Sequence, residues 1–122
     1  MDRTIQHYLA ALDRATLDAE SRIAHLEAEG RQDEADLEKI RRNVLAHFAK
    51  LAQQDALKGQ QEGAVGFAHV HAPRFEEMAS PWRQRQQKAA AHGDVVAQTI
   101  EETKLKTLRQ IWAFYQQTEG KE

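Results

Sequence analysis

Apolar positions near the start of the chain recur at alternating spacings of four and three: Ile5, Leu9, Leu12, Thr16, Ala19, Ile23 and Leu26. That period puts all seven on one stripe of a helix, predicted over residues 3–29. Asp2 stands where a carboxylate accepts the free amide protons of a first turn. Gly30 follows where a left-handed residue ends a helix at low cost. Asp18 and Arg22 form an acid-first i,i+4 pair. Thr16 and Ala19 keep the middle of the stripe small, so a partner helix can approach closely there.

A second stripe, Leu37, Ile40, Val44, Phe48 and Leu51, widened by Leu45 and Ala52, predicts a helix over 34–57. Asp33 is its expected N-cap, with Glu34, Asp36 and Glu38 near the positive end of the helix dipole and Glu38–Arg42 as another i,i+4 pair. The connection between the two stripes, "EGRQDE", is short enough to fold them into an antiparallel hairpin.

The period then lapses. "KGQQEGAVGFAHVHA", residues 58–72, holds three glycines and reads as a loop. A shorter helix is predicted over 74–92, interrupted near Ser80, because Ser80 and Pro81 look like a fresh start. The last helix, 95–118, has Asp94 as its cap and Gly120 as its stop. Its face carries Val96, Ile100, Leu108, Ile111, Trp112 and Tyr115, with Leu105 and Phe114 alongside. The expected fold is all-α. Three long helices and one shorter, interrupted helix form an antiparallel bundle with an N-terminal αα-hairpin, in a single domain over 1–122.

Composition sharpens this picture. Of the 122 residues, 20 are alanine, while Leu, Ile, Val and Phe together number 24. Alanine favours helix but carries little apolar surface. The core should therefore be thin, and association is one way to complete it. The aromatic residues point the same way. Trp112 and Phe114 lie about 200° apart on a helix, so one chain has difficulty covering both. Phe75, Trp82, Trp112, Phe114 and Tyr115 are the expected interface of a homodimer, with room for a further protein partner.

The absence of cysteine excludes disulfides, thiolate metal sites and cysteine nucleophiles. With 17 Lys plus Arg against 19 Asp plus Glu, the net charge is −2, and nucleic acid is not an expected partner. The opening "MDRTIQHYLA" has neither a basic n-region nor an apolar run, and no apolar stretch is long enough for a membrane span. A soluble, cytoplasmic protein without a cofactor is expected.

Two kinds of chemistry compete with the interaction reading. His69 and His71 flank Val70 just before Pro73. Proline biases Ala72 toward extended geometry, where residues two apart face one side. His69, His71 and Glu76, with Glu77, His47 or His92 as further donors, are thus the candidate metal or hydrolytic site. Their spacing matches no distinctive ligand motif, and two histidines in a turn are the better explanation of the pattern. His47 edges an apolar stripe, His7 and His25 should be solvated, and His92 suits a helix C-terminus. The pairs Glu76–Glu77 and Glu101–Glu102 diverge on a helix and read as charged surface. Arg83, Arg85 and Lys88 beside Trp82 are the candidate nucleic-acid patch, though three cations make a small footprint. The glycines of "GQQEGAVG" fit no phosphate loop. The leading expectation is a non-enzymatic helical interaction or scaffold protein. A small metal-dependent or hydrolytic enzyme and a weak nucleic-acid-binding regulator are the alternatives.

Overall fold

The computed structural model describes residues 3–59 and 63–119. Five helices follow in order: α1 (Arg3–Ala28), α2 (Gln32–Lys58), α3 (Gly63–His71), α4 (Pro73–Ala91) and α5 (Val95–Glu119). The all-α bundle and its N-terminal hairpin are as the periodicity predicts. α1 and α2 form the hairpin, α5 lies against both, and α4 packs chiefly along α5. Helix α3 touches α1, α2 and α4. Facing pairs run 86–102, 82–104 and 75–112, so α4 and α5 are antiparallel. Among the described residues, no helix is long and apolar enough to cross a membrane.

Each stripe explains its helix. On α1, Ile5, Leu12, Ala19, Ile23 and Leu26 are buried, joined by Tyr8 and Ala15. Gly30, at φ +74°, ends the helix in the left-handed region. The Arg31 amide then donates back to the Leu26 carbonyl at 2.9 Å, and the Gly30 amide to Glu27 at 3.1 Å, satisfying carbonyls the helix end would orphan. Gly93 repeats the device after α4. Asp94 caps α5 as predicted, its Oδ1 accepting the Ala97 amide at 3.0 Å. The Asp2 cap and the Gly120 stop lie outside the described residues.

The structure corrects several local expectations. Helix α2 begins at Gln32, so Asp33 sits inside the first turn and Arg31 occupies the cap position without a side-chain bond that caps the helix. Leu37, Ile40 and Leu51 are only half-buried, whereas Ala35, Glu38, Ala49 and Ala56 are buried. The face is rotated because α2 must pack against both α1 and α5. Arg22 and Arg41, rather than Arg42, pair with Glu38, and Asp18 is left out.

The predicted loop 58–72 is helical from Gly63 onward, with residues 60–62 outside the described set. Two glycines and two valines give α3 poor intrinsic propensity, so its stability must come from packing. Phe67 and His71, four apart, are its buried face. Ala72 has φ −54° and ψ −40°, helical rather than extended. The proline bias is a preference, and here it loses to the burial of His71 and Phe75 on either side. Helix α4 also runs through Ser80 without a break, with Pro81 inside it. Proline removes one backbone donor, and the inward face of Phe75, Ala79 and Ala89 packs on both sides of it.

Among the described residues the core holds nine Leu, Ile and Val side chains and five aromatic rings. Tyr8, Phe48, Phe67, Phe75 and Tyr115 fill the space between alanine-lined helix faces, where Ala19, Ala35 and Ala52 permit close approach. The α2–α3 junction is a tight backbone contact at Gly59. A Cβ at Gly59 would stand 2.6 Å from the Phe67 amide nitrogen, while nothing lies within 4 Å of one at Gly30. Gly59→Ala is expected to lower the unfolding free energy by about 1–3 kcal/mol through overpacking. Gly30→Ala should cost about 1–2 kcal/mol from its left-handed backbone alone. Urea denaturation of both variants measures these losses, and a Gly59→Ala protein as stable as the parent would refute the close approach.

Candidate functional site

The histidine corner does not assemble as a metal site. On a helix, residues two apart diverge by about 200°. His71 is fully buried and His69 is exposed. Glu76 pairs with Arg83 on the surface of α4, and Glu77 is exposed. His7, His25, His47 and His92 are all exposed as well. Among the described residues, no three His, Asp or Glu side chains converge where they could hold a metal ion.

What His71 does instead is join the helices. Its Nδ1 lies 2.9 Å from Asp55 Oδ2, and its Nε2 lies 2.7 Å from the Tyr8 hydroxyl. Arg74 grips the same carboxylate with two bonds, Nε to Oδ2 at 3.2 Å and Nη2 to Oδ1 at 3.0 Å. Tyr8 comes from α1, Asp55 from α2, His71 from α3 and Arg74 from α4. Helix α5 adds the Tyr115 ring, centred 5.8 Å from the imidazole. Phe67 stacks on that imidazole at 4.9 Å, and Phe48 and Phe75 meet it edge-on.

The protons in this chain are fixed by elimination. Burial pushes the Asp55 carboxyl upward, but the hydrogen bonds and charge of Arg74 and His71 outweigh it and hold the group below its usual range. An ionised carboxylate only accepts, so His71 Nδ1–H donates to it. Burial holds His71 below its ordinary range, with Asp55 opposing and Arg74 reinforcing, so the ring is neutral. Nε2 must then accept the Tyr8 O–H. Burial, helped by Tyr115 and Asp55, raises the Tyr8 phenol far above its ordinary value, so it keeps that proton. The result is a closed relay from half-exposed Arg74 to a sealed tyrosine. Tyr8, Asp55 and His71 are each at most 1% exposed, so no substrate reaches them.

The nucleic-acid candidates are dispersed. Arg83 is engaged by Glu76, Arg85 stands 3.8 Å from buried Glu101, and Lys88 is exposed. Trp82 is half-buried with the Lys104 ammonium 5.8 Å from its ring centre, so its face is not open to a base. Glu101, expected on the surface, is 6% exposed and bonded by Lys104 at 2.9 Å. Glu102 is exposed and receives Gln98.

The aromatic residues divide. Phe75 and Tyr115, expected at an interface, lie in the core of a single chain, and Trp82 and Phe114 pack partly against it. Trp112 remains 38% exposed, its ring edge-on to Phe75 at 4.8 Å. Beside it a groove of about 520 Å³ opens between α4 and α5. Phe75, Ala79, Leu105, Leu108 and Trp112 give it an apolar floor, and Glu76, Arg83, Gln86 and Arg109 stand among its polar lining.

The relay sets how stability should vary with pH. The folded value of His71 lies below its ordinary 6.5, so the unfolded chain binds more protons just below that pH, and stability falls as acid is added. The lowered Asp55 acts in the same sense at lower pH, its contribution present above 3.8 and lost through its folded value. The raised Tyr8 acts oppositely: the unfolded phenol ionises near 10.0 while the folded one does not, so stability falls above that pH. Unfolding free energy measured against pH should show a plateau between these flanks. Tyr8→Phe strips Nε2 of its donor and should cost about 1–3 kcal/mol on the plateau while flattening the alkaline flank. Asp55→Ala, which strands Arg74 and His71, should cost about 3–5 kcal/mol.

No protein-family model matches the chain, and no curated protein or solved structure matches it either.

Proposed function

We propose that this chain is a non-enzymatic helical interaction protein that pairs with a second copy of itself across the α4–α5 groove. The observation that carries the reading is Trp112, the one large aromatic left substantially exposed among the described residues, beside an apolar floor of Phe75, Leu105 and Leu108. Tryptophan over an apolar pocket is a common energetic centre of protein interfaces. The groove also carries both signs of charge, Glu76 with Arg83 and Arg109. A two-fold arrangement brings each patch against its own copy, so acid and base can answer each other across the axis. The sealing of Tyr8, Asp55 and His71 inside the bundle supports an interaction role over a catalytic one.

Multi-angle light scattering at micromolar concentration tests this directly. The parent chain should run as a dimer, and Trp112→Glu should run as a monomer with an unchanged helical circular dichroism spectrum. A parent chain that stays monomeric at that concentration would end the self-association reading.

A further inference from the structure

On the other side of α5, a second groove of about 820 Å³ lies between α1, α2 and α5. We infer that this cleft binds a small organic anion. Lys106 and Arg109 hold its phosphate or carboxylate group, and its apolar body lies over Leu37 and the edge of Leu26.

The argument begins with the charges. Arg22, Arg41, Lys106 and Arg109 line the cleft against two acids, Glu34 and Glu38, in a chain whose net charge is −2. Both acids are already engaged. Glu34 is held by Arg31 through two nitrogens. Glu38, 9% exposed, sits with Arg41 at 2.9 Å and Arg22 at 3.6 Å. Lys106 and Arg109, both exposed, take part in no ion pair or hydrogen bond among the described residues. The cleft therefore has positive charge to spare.

One cation of the cleft, Arg41, is also held in advance. The Arg41 guanidinium bridges α2 and α5, donating to Gln110 Oε1 from Nε at 3.2 Å and from Nη2 at 2.9 Å, and to Glu38 from Nη1. A guanidinium fixed in this way need not be ordered when a ligand arrives. The protein already stabilises one of its own nearly buried carboxylates in this field, that of Glu38 between two arginines. A second anion at the mouth meets the same kind of environment with two uncommitted cations. Half-buried Leu37 supplies apolar surface in the cleft, beside the edge of core residue Leu26, and the volume falls in the range of about 300–1,000 Å³ usual for small-molecule sites.

The test titrates the full chain with octyl phosphate, below its micelle-forming concentration, and separately with octanoate, following amide chemical shifts. Octanol and inorganic phosphate serve as controls. At least one alkyl anion should bind saturably, more weakly as salt is raised, and octanol should bind far less. The preferred head group tells phosphate from carboxylate. Lys106→Glu combined with Arg109→Gln, both at exposed positions, should weaken binding at least about tenfold, whereas Arg85→Gln with Lys88→Gln on α4 should not. Trp112→Glu, which abolishes the proposed dimer, should leave saturable anion binding in place, so either idea can fail alone. The inference is overturned if neither anion saturates, if octanol binds as tightly, or if Lys106→Glu/Arg109→Gln binds like the parent.

Discussion

Every helix in this protein meets at one imidazole. Alanine-rich helices can slide or rotate against one another at little cost, because their surfaces are shallow and alike. Directional bonds remove that freedom. Tyr8 on α1, His71 on α3, Asp55 on α2 and Arg74 on α4 connect in a single unbranched order, and each link is met only when all four helices stand in one register. A buried polar group without its partner is costly, so slipped packings are penalised several times at once. The surrounding rings of Phe48, Phe67, Phe75 and Tyr115 exclude water and make those bonds matter. Arg74 anchors the outer end. Without its charge, burial would push the Asp55 carboxyl upward with His71 alone opposing it, and the tautomer of His71 would be less firmly set.

The same constraint explains what was legible in the sequence and what was not. α1 declares itself because it buries one stripe, and α5 through Leu108, Ile111 and Tyr115 although Val96 at its start is exposed; the stop at Gly30 and the cap at Asp94 are local chemistry. Helix α3 does not. Its residues have little helix propensity, and only the docking of Phe67 and His71 holds it, which is a tertiary fact. Ala72 and Pro81 mislead for the same reason, since a backbone preference of a few kcal/mol yields to packing on both flanks. The histidine pair attracted attention through its two-residue spacing, but the meaningful partners lie 16 and 63 residues away. One signal was available. Asp55 falls seven residues after Phe48 and three after Ala52, an acid in register with a buried face, and such a residue must be paired. Tyr8, three after Ile5 and four before Leu12, shares its helix face with both. Arg74 carried no comparable mark.

The shortage of aliphatic bulk was real, yet its consequence was different from the one composition suggests. Five rings, packed with nine buried Leu, Ile and Val side chains, do the filling inside one chain. Aromatic residues bury large areas per residue, so few are needed. Only Trp112 is left over. Of the five aromatics expected at an interface, Trp112 is the one that stays substantially exposed, beside the α4–α5 groove.

Helix α5 then serves as the shared wall between two unlike surfaces. Leu105, Leu108 and Trp112 turn toward α4, while Thr103, Lys106, Thr107 and Gln110 turn toward α1 and α2. Arg109 lines both grooves and so lies on the ridge between them. Its long side chain can serve either side but not both fully. An anion in the polar cleft that recruits this guanidinium withdraws positive charge from the aromatic groove. A partner acid in the aromatic groove does the reverse. Any coupling between ligand and self-association must then pass through one surface arginine and the electrostatic field around it. The interior is poorly suited to carry such a signal, because a relay whose every proton is already assigned has a single arrangement, and coupling between sites requires two.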